Sequence, residues 1–172
     1  MREQLKPSQV EVWYAPTNIG INERASLGLL STEEKQRHEG FQFDIHRYEY
    51  LIAHVLLRMT LSRYAAIAPQ NWEFRTNEYG KPFIAEGMVA PPLYFSLSHT
   101  SGMVACAVAR VERVGVDVES ISRRTAWSDV SKHFFAPAEV EYLSQLPEEH
   151  RRKAFFEVWT LKESFLKAIG SG

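Results

Sequence analysis

The segment Gly115-Val116-Asp117-Val118-Glu119 places two carboxylates two residues apart in a run of β-formers. Read as a strand, it points both side chains to one face, with α-carbons roughly 6.5 to 7 Å apart. Two acids facing one space repel unless a cation relieves them, and a hard divalent ion such as Mg2+ takes carboxylate oxygens in this way. A strand end with two solvated acids satisfies the same pattern. Further along, Trp159-Thr160-Leu161-Lys162-Glu163-Ser164-Phe165-Leu166-Lys167 sets Glu163 and Lys167 four apart on one helical face. Alone, that spacing is a surface ion pair worth about 0.2 to 0.5 kcal/mol. With Trp159 and Phe165 anchoring the helix, Glu163 can offer a third oxygen and Lys167 a phosphate partner, which is the donor set of a metal-phosphate site.

A third segment, Phe95-Ser96-Leu97-Ser98-His99-Thr100-Ser101-Gly102, leaves a β-run through small polar residues whose hydroxyls, imidazole and amides suit an anion. It also reads simply as a hairpin turn. His99 makes a poor general base, because no Ser or Cys nucleophile with an orienting acid surrounds it, and a better hydrogen-bond donor to phosphate. Arg47 and Lys81 are further candidate anion contacts that, taken singly, read as ordinary surface cations.

These residues need a frame. The chain of 172 residues allows one domain or two small halves sharing an interface. Hydrophobic residues at 45% and charged residues at 24% exclude disorder, collagen and coiled coil. Lys and Arg, 20 in all, against 21 Asp and Glu give a net charge of -1, so no global basic field points to nucleic acid or an anionic membrane. Recognition of an anion must therefore be local. The single cysteine, Cys106, lies in the apolar run 103–108 and reads as a buried small hydrophobe, which fits a reducing, cytoplasmic setting. The N-terminus lacks the apolar stretch of a signal peptide, and no run approaches the roughly 18 apolar residues of a membrane span.

Alternation over residues 10–15 predicts a first strand. Ser31-Thr32-Glu33-Glu34 fits a capping box opening a helix to about residue 37. Tyr48, Leu51, Ile52, Val55, Leu56 and Met59 form one apolar stripe, which predicts a core-facing helix over 44–64 with Arg47, Glu49, His54 and Arg58 on its solvated side. Residues 77–92 read as loop with at most a short edge strand. Three adjacent strands are expected at 93–97, 103–110 and 114–118, separated by 98–102 and 111–113. Helices follow at 129–135, 137–146 and 148–169, with Gly170 as the C-cap of the last.

Asp44-Ile45-His46-Arg47 leading into Leu51-Ile52-Ala53-His54-Val55-Leu56-Leu57-Arg58, then Tyr79-Gly80-Lys81-Pro82, Phe95-Ser96-Leu97-Ser98-His99 and the two acidic segments above occur in a telling order. From about residue 31 to 170 the chain resembles the 4'-phosphopantetheinyl transferase superfamily, in the longer, pseudo-dimeric type that activates peptide, polyketide or fatty-acid synthases. The resemblance implies an α+β fold (α/β by some schemes). It would have two pseudo-symmetric halves, 1–110 and 111–172, with helices packed on small mostly antiparallel sheets and coenzyme A in the cleft between them. It implies transfer of the 4'-phosphopantetheine arm of coenzyme A to a serine of an acyl or peptidyl carrier protein, with adenosine 3',5'-bisphosphate released. Mg2+, or Mn2+ in its place, would be held by Asp117, Glu119 and Glu163. Glu163 and Lys167 would be catalytic, Glu163 as base and Lys167 at the leaving bisphosphate. Arg47, Lys81, Ser98, His99, Lys162 and Lys167 would contact coenzyme A.

Some positions depart from the family. Ser96 stands where Asn is frequent, and Glu34 stands where some members place a phosphate-binding lysine, with Arg37 as its replacement. Relatives of this type also continue through further strands, which leads to the expectation that the chain is truncated, its second half incomplete and the apolar face of its last helix partly uncovered. Two other readings stay open. One is a non-catalytic remnant that binds coenzyme A or a carrier protein; the other is a Mg2+-dependent phosphate hydrolase using the same three carboxylates.

Overall fold

A computed structural model describes residues 4–170. The first strand, β1 (Val10–Pro16), is followed by two short helices, α1 (Glu23–Leu27) and α2 (Thr32–Glu39), and then by the long helix α3 (Asp44–Tyr64). A hairpin of β2 (Phe74–Thr76) and β3 (Pro82–Ile84) leads to β4 (Tyr94–Thr100) and β5 (Met103–Ala109). Three helices complete the described chain: α4 (Trp127–Phe134), α5 (Pro137–Gln145) and α6 (Glu148–Ile169). The α+β class is as expected, and among the described residues every strand precedes residue 110. No described helix is long and apolar enough to cross a membrane.

β1, β5 and β4 form one antiparallel sheet in that spatial order, with β5 central, Val10 opposite Ala109 and Tyr94 opposite Ala109 on the other side. β5 is buried along nearly its whole length because Val104, Cys106 and Val108 pack on α3, while Ala107 and Ala109 on the other face pack with Val114 and Val116. Leu57 and Leu61 of α3 meet Phe95, Cys106 and Val108 of the sheet, together with Trp72. Each fully buried aliphatic side chain of this kind contributes about 1.5 to 3 kcal/mol. The second core is aromatic. Phe135 stacks on Phe155 at 5.3 Å, and Trp159 stacks on Phe155 at 5.9 Å, which ties α4 and α5 to α6. Along α6, Leu161, Phe165 and Ile169 remain exposed at four-residue steps.

Three expectations need correction. Residues 98–100 do not belong to a turn: Ser98, His99 and Thr100 extend β4, and the reversal takes only Ser101 and Gly102, the latter with φ 91°, a backbone that glycine adopts without steric cost. Residues 114–118 do not pair as a third strand. Alternate amides from Val116 on donate to hydroxyls of β4 instead of a neighbouring strand's backbone: Val116 N to Ser96 Oγ (3.1 Å), Val118 N to Ser98 Oγ (3.3 Å) and Ser120 N to Thr100 Oγ1 (3.3 Å). Finally, the supposedly solvated side of α3 is largely covered. Arg58 is 1% exposed and Glu49 4% exposed, because α2 lies over that side and brings Glu34 to Arg58 and His54.

Candidate active site

The hydroxyl ladder between β4 and residues 114–120 sets where the acids fall. Gly115 sets how close they come to α6. A Cβ at this position would lie 1.9 Å from Ser164 O and 2.7 Å from Ala168 N, so only glycine lets the segment pass against the helix backbone. Two residues on, Lys167 Nζ donates to Asp117 Oδ1 at 2.6 Å and to Ser98 Oγ at 2.8 Å, and Ser98 Oγ donates to the same Oδ1 at 2.8 Å. Asp117 Oδ2 is buried and has no partner among the described residues. A carboxylate with one oxygen shared by two donors and the other left orphaned retains capacity for a cation.

The other acids are differently engaged. Glu119 accepts from Arg123 Nη1 at both oxygens, at 2.9 and 3.1 Å. Glu163 shares a face of α6 with Lys167, is half-buried, and has no hydrogen bond or ion pair among the described residues. Among the described residues, no three His, Cys, Asp or Glu side chains stand close enough to hold a metal as they are now arranged. Carboxylate oxygens remain the donors a hard divalent ion takes, and the orphaned Oδ2 is the atom that fits one.

His99, beside Ser98 on β4, has its imidazole pushed down by burial, with Glu49 opposing and Lys167, His46 and His54 adding to the effect. His99 is nevertheless exposed at the end of β4. Arg47, near the start of α3, donates to Asp44 (3.0 Å) and to Phe41 O (2.9 Å), while its Nε is buried without a partner among the described residues. Lys81 lies at the far end of α6. Its Nζ reaches Ala168 O (3.2 Å) and Val114 O (3.3 Å), and burial pushes its pKa down. Asn77 beside it donates to Gly170 O, so the β2–β3 turn fastens the helix terminus. Lys162 pairs with Glu139 at 2.8 Å and lies 5.5 Å from the Phe135 ring.

The structure thus brings Ser98, Asp117 and Lys167 into contact, sets His99 next to them and Glu163 one turn away, and leaves Arg47, Lys81 and Lys162 on other partners. A cavity of about 670 Å3 is lined by Lys81, Phe83, Tyr94, Arg113 and Ile169 but by none of the three clustered residues, so cluster and cavity are separate places in the fold. Nothing in the sequence signalled that Glu49 acts on His99 or that Arg123 pairs with Glu119. Glu49 was legible only as a polar residue on α3, and Arg123 sits in a turn whose fold no periodicity announces.

Comparison with known proteins gives two family models that match the chain. Residues 16–111 match the model of the 4'-phosphopantetheinyl transferase N-terminal region, and residues 113–172 match that of the 4'-phosphopantetheinyl transferase superfamily. The chain is similar to the 4'-phosphopantetheinyl transferase HetI of Nostoc sp., with 32% identity over 98% of the chain and 71% of the relative. It is 33% identical to the 4'-phosphopantetheinyl transferase gsp of Aneurinibacillus migulanus, over 95% of the chain and 67% of the relative. To the 4'-phosphopantetheinyl transferase Sfp of Bacillus subtilis it is 29% identical, over 91% of the chain and 67% of the relative. The chain spans about two thirds of the length of these relatives.

Proposed function

The chain belongs to the 4'-phosphopantetheinyl transferase superfamily, enzymes that transfer a phosphopantetheine arm to carrier proteins, and from that premise we propose that the Ser98–Asp117–Lys167 cluster works on coenzyme A. In this reading the hydroxyl oxygen of a serine on an acyl or peptidyl carrier protein attacks the β-phosphorus of coenzyme A. The bond from that phosphorus to the oxygen bridging the α-phosphate breaks, and adenosine 3',5'-bisphosphate leaves. Glu163, the acid without a partner, takes the serine proton. Lys167, one turn along the same helical face, offsets the charge of the departing bisphosphate. Ser98 and His99 donate to phosphate oxygens from the end of β4, and phosphate beside His99 would favour its protonated form. Arg47 and Lys162 supply further positive charge once their carboxylate partners are exchanged for phosphate, and Lys81 does so only by leaving two backbone carbonyls.

Asp117, Glu119 and Glu163 are the residues that would hold Mg2+ or Mn2+, and when bound the ion supplies neutralisation of the pyrophosphate. The observation that carries the reading is the orphaned Oδ2 of Asp117 beside the Lys167 ammonium. The buried, unpaired Cys106 supports a reducing, cytoplasmic setting. The test is incubation of the 172-residue chain with coenzyme A, Mg2+ and a panel of apo carrier proteins, each carrier then read by intact mass. A gain of one phosphopantetheine arm on a serine is expected, with Asp117→Asn slower by about 10²- to 10³-fold. No gain on any carrier, with a longer relative active alongside, would overturn the proposal.

A further inference from the structure

Glu119 is not open to a metal ion as the chain stands. Its side chain is only 12% exposed, and both carboxylate oxygens accept from one nitrogen of Arg123. Arg123 is 57% exposed and its side chain rests on this one ion pair among the described residues, so it is free to swing into solvent. Its backbone is not free. Arg152 of α6 donates through Nε to Ile121 O (2.8 Å) and through Nη2 to Arg123 O (2.6 Å), Arg123 N donates to Ser120 O (3.0 Å), and Ser120 N is held by Thr100 Oγ1. The turn is thus fastened to both α6 and β4, and only the guanidinium is poised to move.

We propose that Arg123 is the resident counter-cation of the metal seat: its guanidinium neutralises Glu119 until a divalent ion displaces it, so that Arg123 sets the affinity of the seat for the ion. This rests on the reading of Asp117, Glu119 and Glu163 as metal-holding residues. Lys167 plays the corresponding part at Asp117, but it belongs to the reacting centre, whereas Arg123 touches none of the three clustered residues. An ion entering the seat must break the pair at Glu119, and the work of breaking it is subtracted from the ion's affinity. An ion pair with one exposed partner is worth little, so the effect is modest, about two- to fivefold. The opposite role, in which Arg123 holds Glu119 in a posture that the ion needs, makes the reverse prediction.

The experiment titrates Mn2+ into the 172-residue chain without coenzyme A and reads free ion by electron paramagnetic resonance. Arg123 is exposed, so its replacement leaves the fold intact, which far-UV circular dichroism checks. Arg123→Gln is expected to bind Mn2+ about two- to fivefold more tightly than the wild type, and Arg123→Lys, which keeps the charge, to stay close to it. Added monovalent salt narrows the difference, since it screens the exposed pair. Unchanged or weaker binding by Arg123→Gln overturns the inference. Asp117→Asn separates it from its premise: if that variant binds Mn2+ like the wild type, or if the wild type binds none, the metal seat itself is misassigned and the inference falls with it.

Discussion

Glu34 and Asp117 are both largely buried carboxylates that meet a cation at 2.6 Å, yet their surroundings differ in kind. Glu34 closes a network. Its Oε2 accepts from Arg58 Nε and Nη2 and from the Ser31 amide, its Oε1 meets His54 Nδ1 at 2.8 Å, and the remaining Arg58 nitrogen donates to Pro69 O and Trp72 O. Asp117 sits in an open one, with its second oxygen orphaned among the described residues. Full satisfaction ties α2 to α3 and leaves nothing for a ligand to take. Incomplete satisfaction costs stability and leaves the capacity that chemistry at this site would use.

The largest expected effect tests that contrast directly. Arg58→Met strands a buried carboxylate and should cost about 3 to 5 kcal/mol in urea unfolding. Asp117→Asn removes a carboxylate whose Oδ2 has no donor, and should change stability by less than about 1 kcal/mol. Equal losses would erase the distinction between the two clusters.

A second test uses acid. Burial alone would raise the Glu34 pKa, but the His54 hydrogen bond and charge, the Ser31 amide and Arg58 outweigh it and hold the carboxyl down to about 2 from the ordinary 4.5. Because the folded value is depressed, the stabilisation is fully present above pH 4.5 and is lost as pH falls through about 2. The loss amounts to about 3 kcal/mol, read from unfolding midpoints between neutral pH and pH 2. Glu34→Gln should flatten that acid limb, and an unchanged limb would place the acid sensitivity elsewhere.

A loss of about 1 to 3 kcal/mol is expected from Gly115→Ala, whose methyl would overlap Ser164 O and force the acidic segment away from α6. Transfer should fall further than thermal stability, since Asp117 and Lys167 would part. Wild-type stability together with wild-type transfer would mean that the close approach is not needed.

Much of this molecule could be read before its fold was seen. The stripe from Tyr48 to Met59 bounded α3 at the residues observed, the Ser31–Glu34 capping box is present, and Gly170 caps α6 with φ 76°. These are local matters, settled by periodicity and by end groups needing partners within a few residues. Reading residues 114–118 as a strand failed because its amides are taken by side chains of β4, and no β-propensity encodes a hydroxyl partner 20 residues away. The polar side of α3 was misread for a related reason, since burial of Arg58 depends on a carboxylate 24 residues earlier.

By itself the sequence determined which residue types could hold an anion or a cation, the helices that carry them, and, through ordered motifs, the family. The tertiary structure alone decided which of them meet. It joined Ser98, Asp117 and Lys167, and turned Lys81 toward the α6 terminus, Lys162 toward Glu139 and Arg123 onto Glu119. The physical reason is that a charge's partner is chosen by distance in three dimensions, and contacts between residues 50 or 69 positions apart follow from packing, not from spacing along the chain.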